Sequence, residues 1–245
     1  MPHGAFSVLI QLAGLALVLS GLWDVFNTVF HPTRSGTISD GIASMVWKVL
    51  RPRRSASMLV LAGPLATVLI IVYWVASLVL GCAFIFWVHL RSDFAAAPGV
   101  DPNTHAHFVD ALAYSFSSAI TESSGFTPVR ARFALLANLE ALAAFGVLTA
   151  SISWLLAIYP VLKHRRNVAH RVAIVRRAAE HLGEDAFDED PSAVAELLRD
   201  FTVDLITLRT ELGQFPITFY FHDEDPRSSL ATALEFLEAL AARAR

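Results

Sequence analysis

Cysteine and charge are both scarce in this chain of 245 residues. Its single cysteine, Cys82, excludes an intrachain disulfide and a thiolate metal cluster, and its place within an apolar run predicts a lipid-facing or packed core position. Charged residues make up 17% of the sequence and the net charge is -3, too small an imbalance to indicate a nucleic-acid partner. Hydrophobic residues make up 55%, a content typical of an integral membrane protein.

Motifs for catalysis and cofactor binding are also missing from the sequence. No nucleophile, base and orienting acid stand at matching positions, and there is no phosphate-binding loop. His89, His105 and His107 lie near one loop, but no acidic or cysteine residue is spaced to complete a metal site with them. We therefore predict a protein that is not an enzyme and has neither a cofactor nor a bound metal.

Long apolar runs are what the sequence does contain. Residues 4–30 carry no charge before Asp24 and exceed the roughly 20 residues that a membrane crossing needs. No basic residue precedes this run and no small-residue cleavage site ends it, so we predict a retained transmembrane helix rather than a signal peptide. Asp24 and Asn27 lie near its far end, where they could reach the interface or hydrogen-bond to a neighbouring helix.

Two further runs are long enough to cross a membrane, residues 57–90 and 132–159. Pro64 predicts a kink near the start of the second run. Because short loops rich in Lys and Arg stay in the cytoplasm, the basic residues fix an orientation with the amino end outside and the carboxyl end inside. This predicts a multi-pass protein of the cell inner (plasma) membrane. The basic residues are Arg34, Lys48, Arg51, Arg53 and Arg54 before the second run, and Lys163, Arg165, Arg166, Arg171, Arg176 and Arg177 after the third.

The predicted fold is an all-α membrane protein with three transmembrane helices, a re-entrant pore helix and filter loop, and a mainly helical cytoplasmic domain. Its segments are the first helix at 1–30, a basic linker at 31–56, a pore module at 57–162 and the cytoplasmic domain at 163–245. Within the linker, apolar residues at helical spacing over 38–50 predict a short helix on the inner leaflet.

The stretch from 108 to 160 predicts the re-entrant loop. Residues 108–121 suit a helix of roughly 20 Å, which is too short to span a bilayer. The following residues 121–128 are polar and include Gly125 and Pro128, and a long apolar run comes next. Non-helical backbone at membrane depth is tolerated only where protein or a watery cavity surrounds it.

This order of elements resembles the two-transmembrane pore module of bacterial potassium channels, preceded here by one extra helix. The resemblance covers residues 57–160 and includes Asp110-Ala111-Leu112 at the start of the short helix, Glu140, and the inner-helix run from Phe145 to Ala150 with Gly146. It implies a homotetramer in the lipid bilayer, with one filter strand per chain, that conducts a monovalent cation, potassium or sodium.

The filter departs from the potassium-channel pattern of Thr-x-Gly-Tyr/Phe-Gly-Asp. Read without gaps from Asp110, Ser123 stands where the first Gly belongs; read by matching Gly-aromatic, Thr127 stands where the second belongs. A single Gly-Phe is also similar to the filters of the Trk, Ktr and HKT transporters, which place four such loops in one chain. Fewer carbonyl rings imply weaker discrimination between potassium and sodium. The candidate filter is Thr121, Glu122, Ser123, Ser124, Gly125, Phe126 and Thr127.

Several residues around the filter have two interpretations each. Glu122 either faces the pore or turns behind the filter, and Glu140 either braces the filter by bonding the end of the short helix or lines the cavity. Thr149 and Ser153 share a helix face and are candidate cavity residues, although bonds to their own helix would also satisfy them. Gly146 is either a gating hinge or a site of close helix packing.

The carboxyl-terminal region is predicted to be helical, with a basic helix over 167–182, a helix from 190 to 212 that Gly213 ends, and a last helix capped by Asp225-Pro226. Residues 215–221 form a short aromatic segment, which favours an extended strand-like element.

The predicted function is a homotetrameric cation channel of the potassium-channel superfamily. The alternative is a non-conducting, membrane-anchored signalling or scaffold protein built on a degenerate pore module.

Overall fold

A computed structural model describes residues 4–31, 35–51, 56–98, 106–122, 124–182, 191–222 and 229–243. The predicted fold class is confirmed: the chain is an all-α membrane protein in which three helical stretches are long and apolar enough to cross a membrane. These stretches are Gly4–Phe30, Met58–Asp93 and Ala131–His181.

The elements follow the predicted order. The helices are α1 (Gly4–Val25, continued by a π-helical turn at Phe26–Phe30), α2 (Thr37–Leu50), α3 (Ala56–Val60), α4 (Ala62–Asp93), α5 (Phe108–Ala119), α6 (Ala131–Leu182), α7 (Pro191–Gln214) and α8 (Leu230–Arg243). Two short strands, β1 (Phe94–Ala96) and β2 (Phe126–Pro128), flank α5. A 3-10 helix at Pro216–Tyr220 follows α7.

The chain forms two compact units. The first comprises Met1–Ser39 and Val68–Trp154, and the second comprises Asp40–Thr67 and Leu155–Arg245. The first unit contains the predicted pore loop, and the second contains the carboxyl-terminal helices. The segment boundaries drawn from the sequence at 30, 56 and 162 stay predictions.

Close backbone contact joins α1 to α4 in the first unit. A side chain at Gly14 would place its Cβ 2.5 Å from the Gly81 carbonyl oxygen, and one at Gly81 would lie 2.6 Å from the carbonyl oxygen of Gly14. Only glycine allows two helices to approach so closely, and small residues are a common means of packing helices within lipid. Gly81 is therefore a site of close helix approach, and its partner is α1. Cys82 beside it is a packed core residue, 3% exposed.

Aromatic side chains hold α5 against α4. The Phe86 and Tyr114 rings meet edge to face at 4.9 Å between centroids, and Phe94 meets Tyr114 at 5.0 Å. All three side chains are buried in one apolar cluster that also contains Phe133 of α6. Since edge-to-face aromatic pairs stabilise beyond their buried area, this cluster fixes the short helix between the two long ones.

Helices α6, α7 and α8 pack together in the second unit. Phe201 of α7 lies between Val172 of α6 and Leu237 of α8, and all three are buried. The apolar side of α7 therefore forms part of a core. The aromatic segment after α7 also packs within this unit: Phe221 lies against Gly63, and Trp47 stacks on His222 at 4.7 Å between ring centroids.

The strand-like element predicted at residues 215–221 is wrong. Pro216 to Tyr220 form a 3-10 helix, in which Thr218 N donates to Phe215 O at 3.0 Å and Phe221 N to Thr218 O at 3.3 Å. Proline at its first position already has the helical φ, so the apolar run turns rather than extends. The predicted end of α7 at Gly213 is also wrong, because the helix continues to Gln214.

The kink predicted from Pro64 takes the form of a break at Leu61, between α3 and α4. The proline ring clashes with the carbonyl four residues earlier and removes a hydrogen bond there. Helix α8 begins at Leu230, where the Ser229 hydroxyl accepts a bond from Thr232 N at 3.3 Å. The predicted cap at Asp225-Pro226 and the acidic run at 184–190 lie outside the described residues.

Candidate functional site

The short helix predicted to precede the filter is present as α5, Phe108–Ala119. Its first turn has a capping box, in which Asp110 Oδ2 accepts the backbone N–H of His107 at 2.9 Å. Reciprocal capping satisfies backbone donors that a helix start otherwise leaves unpaired. The helix is 12 residues long, so it does not reach across a bilayer.

The end of α5 is a tight turn made without glycine. Thr121 N donates to Ser118 O at 3.0 Å and Glu122 N donates to Ser117 O at 2.7 Å, which is the bonding pattern of a Schellman motif. Thr121 has a φ of 60° in the left-handed region. A β-branched residue rarely adopts this conformation, so the surrounding contacts hold strained backbone at the first residue of the predicted filter.

The far end of the predicted filter is a β-strand. Strand β2 pairs antiparallel with β1, with Phe94 opposite Pro128, Ala95 opposite Thr127 and Ala96 opposite Phe126. A further bond from Ala97 N to Gly125 O, at 2.8 Å, extends the pairing. The loop is thus held at both ends. The Ser124 hydroxyl accepts from Phe126 N at 3.3 Å, and Ser123 lies outside the described residues.

A buried carboxylate locks the strand pair to the neighbouring helices. Asp93, the last residue of α4, is 4% exposed and accepts bonds from His89 Nδ1 at 3.0 Å, from Arg132 at 3.4 Å, and from Arg130 Nε. Its backbone carbonyl accepts from Val129 N at 2.9 Å. The arginines at the start of α6 therefore secure the loop exit to α4. Sequence reasoning missed Asp93, because the prediction placed it in a loop of mixed charge rather than at the end of α4.

A cavity of about 440 Å³ opens between the loop and α6. Polar side chains and apolar ones both line it, and the polar ones include Glu122, Ser118 and Asn138. Glu122 is exposed, so its carboxylate is available to solvent or to a neighbouring chain. Phe126 is buried and the other described filter residues, Thr121, Ser124, Gly125 and Thr127, are exposed or half-buried.

Glu140 lies deep between three helices. It is 2% exposed, and its Oε1 makes a short hydrogen bond with the Ser115 hydroxyl of α5. The same hydroxyl lies 2.8 Å from the Val79 carbonyl oxygen of α4. Glu140 was predicted either to bond the short helix or to line the cavity. The structure shows a bond to the short helix, and the side chain is buried. Ser115 was not predicted, because a serine among other small residues forms no pattern.

The exposed face of α6 carries the other predicted cavity residues, Thr149 and Ser153. Asn138, which was not predicted, is exposed on the same face, opposite the buried Val147 and Trp154. Thr149 Oγ1 donates to its own helix at Phe145 O, at 2.9 Å. Gly146 shares this face, and an added Cβ there would meet nothing within 4 Å. Close packing within this chain is therefore not the reason for Gly146, and the hinge stays a prediction.

Asp24 is a third buried acid of the first unit, in addition to Asp93 and Glu140. It is 3% exposed and accepts Trp74 Nε1 at 2.9 Å and Ser39 Oγ at 2.5 Å. Its Oδ1 accepts the backbone N–H groups of Ile38 and Ser39 at 3.0 and 3.4 Å, in the first turn of α2. The predicted pairing of Asp24 with a neighbouring helix is confirmed. Asn27 instead donates to its own helix, at Trp23 O.

The histidines of the outer loop have other partners. His89 bonds Asp93 and, through Nε2, Gln11 at 2.9 Å, while His107 caps α5. His105 is outside the described residues. Within the described ranges, no group of three or more His, Cys, Asp or Glu side chains could hold a metal ion.

Comparison with known proteins supports membrane association. The chain is similar to an uncharacterized membrane protein, YdjJ, of Bacillus subtilis (strain 168), with 22% identity over 232 residues that cover 93% of this chain and 67% of that protein. No protein-family model and no solved structure matches the chain. Membrane association is thus supported twice, by this relative and by the three apolar helices.

Proposed function

We propose that this protein is a homotetrameric cation channel that conducts monovalent cations. In this proposal the chain crosses the inner membrane three times, with its amino end outside and its carboxyl end in the cytoplasm, as the basic residues flanking the apolar runs favour. Helix α5 and the loop after it then enter the membrane from outside and return to the same side.

The observation that carries the proposal is the loop from Thr121 to Pro128. It is polar, it follows a helix too short to cross, and it lies between two helices that are long enough. Its start is fixed by the Schellman motif and its end by pairing with β1. Irregular backbone at membrane depth needs a protein-lined or water-filled passage, which symmetry-related copies would supply.

The exposed face of α6 supports the same arrangement. Asn138, Thr149 and Ser153 lie in the mostly apolar first half of α6, on the side that the described residues leave uncovered. Polar groups facing lipid tails are unfavourable, and such residues usually face a bundle interior or a water-filled cavity. A central cavity lined by four copies of α6 would accommodate them.

Selectivity follows from the chemistry of the loop. The exposed Glu122 carboxylates of four chains would attract cations, and the single glycine would leave fewer dehydrated sites than a potassium-selective filter has. The proposed channel therefore passes potassium with relaxed discrimination against sodium.

Reconstitution of the purified protein in planar bilayers and liposomes tests the proposal. In mixed potassium and sodium we expect a reversal potential between the two equilibrium potentials. Glu122→Gln should reduce conductance more at low salt than at high salt, because salt screens the lost charge. Glu196→Gln, which removes an exposed carboxylate from α7, is the matched control and should leave conductance unchanged.

Oligomeric state provides an independent check. Native mass spectrometry of detergent-solubilised protein should give four chains per particle. A monomer, or a tetramer through which neither ion passes, would contradict the proposal, and the second result would favour the non-conducting signalling or scaffold alternative.

A further inference from the structure

The hydroxyl of Ser115 is placed between two acceptors. Its Oγ lies 2.8 Å from the Val79 carbonyl oxygen and makes a still shorter contact with Glu140 Oε1. A serine hydroxyl has one hydrogen, and a backbone carbonyl has none. If Ser115 donates to one oxygen, its contact with the other needs a second hydrogen, and only the Glu140 carboxyl can supply it.

The surroundings of Glu140 also favour a carboxyl group without charge. Within the described residues its Oε2 has no hydrogen-bond partner, although the side chain is 2% exposed. The Cys82 thiol of α4 and the Ser118 hydroxyl of α5 lie within interaction distance of the carboxyl group, although the Ser118 hydroxyl donates to Ala137 O at 3.0 Å, and the Tyr114 phenol is also near. None of these is a cation. A buried carboxylate with one unpaired oxygen and no counter-charge is costly.

We infer that Glu140 is a neutral carboxylic acid whose proton is donated to Ser115 Oγ, while Ser115 donates to the Val79 carbonyl. This chain of two hydrogen bonds joins α6, α5 and α4 at one level. Glu140 is then a positioning residue, because it fixes the helix that precedes the loop without lying on an ion path. Its importance for conduction rests on the proposed function, but the protonation state does not.

Infrared spectroscopy of the reconstituted, full-length protein at neutral pH tests the inference. Ordinary glutamates have pKa values of about 4.3 and are ionised at neutral pH, so the C=O stretching band of a protonated carboxyl group is distinctive. We expect such a band in the wild type, its loss in Glu140→Gln, and its retention in Glu196→Gln. No acid band in the wild type, or a band that survives Glu140→Gln, would overturn the inference.

Ser115→Ala gives a second measurement if Glu140→Gln does not fold. Loss of the acceptor should move the acid band to higher frequency, since a free carboxyl carbonyl vibrates faster, whereas an unmoved band contradicts the chain. Melting temperatures give a third measurement. Glu140→Gln can still donate to Ser115 and should melt within about 2 °C of the wild type, whereas Glu140→Leu cannot donate and should melt at a lower temperature. These readouts need no ion flux, so a non-conducting protein would leave the inference intact and remove only the channel.

Discussion

Asp24 and Glu140 are both buried acids of the first unit, and they are held in different ways. Asp24 accepts four hydrogen bonds, two from side chains and two from backbone N–H groups. Glu140 Oε1 bonds the Ser115 hydroxyl, which already lies beside another acceptor, and the Ser118 hydroxyl and the Cys82 thiol lie near the same carboxyl group. The four donors around Asp24 need only an acceptor, whereas the Ser115 hydroxyl lies between two acceptors and calls for a donor at Glu140.

The difference shows that residue type and depth alone do not decide what a membrane-buried acid does. The donors of Asp24 belong to α2 and α4, so its carboxylate caps one helix and binds another. Glu140 contacts a hydroxyl on the short helix α5 and acts as a donor.

Replacing each acid by its amide should have unequal costs. In Asp24→Asn the new NH2 group faces donors, so we expect a loss of about 2 to 3 kcal/mol in unfolding free energy, the range for bonds to charged groups. Glu140→Gln replaces one donor by another and should cost under about 1 kcal/mol. Thermal or denaturant unfolding in detergent measures both, with Asp200→Asn on the exposed face of α7 as control. Equal losses at the two sites would remove the distinction.

The next largest loss of stability is expected from a substitution that crowds the Asp24 carboxylate. A Cβ at Gly36 would lie within 2.7 Å of Asp24 Oδ2, so Gly36→Ala should displace the carboxylate and cost roughly 1 to 2 kcal/mol. Gly41→Ala, on α2 where an added Cβ meets nothing within 4 Å, is the matched control and should be neutral or stabilising. Melting temperatures in detergent compare the two variants. A Gly36→Ala protein as stable as Gly41→Ala would argue against a tightly held carboxylate.

Removing one hydroxyl at each site gives the smallest difference. Ser39→Ala deletes a donor to a charged group and should cost about 1.5 kcal/mol or more, whereas Ser115→Ala should cost about 1 kcal/mol. Ser151→Ala is the control, because its buried hydroxyl bonds only the Val147 carbonyl of its own helix. Unfolding in detergent gives the order, and a larger loss for Ser115→Ala than for Ser39→Ala would contradict the assigned charges.

The helices were predictable from the sequence because their signals are local. A long apolar run such as 4–30, with no charge before Asp24, forms a helix in lipid, and the short helix was delimited by Asp110 at its start and a polar stretch after it. The break near Pro64 was also predicted, but its position was three residues late because the clash falls on the preceding turn.

Long-range pairings were not predictable from one sequence. Strand β1 is three residues long and its sequence indicates a loop, and its pairing partner Phe126 lies beyond α5. The partners of Asp24 and Glu140, Trp74 and Ser115, depend on helix rotation, which periodicity does not give. The 3-10 helix at Pro216–Tyr220 was mistaken for a strand because a short aromatic run has no distinguishing period.

The strand pair has a mechanical consequence. Strand β1 begins immediately after the last residue of α4, and β2 is bonded to it residue by residue, so α4 and the exit of the loop must tilt together. Long apolar helices change tilt when bilayer thickness changes. We therefore expect the position of Phe126 to differ between thick and thin bilayers, which would couple the shape of the loop to the elasticity of the surrounding bilayer.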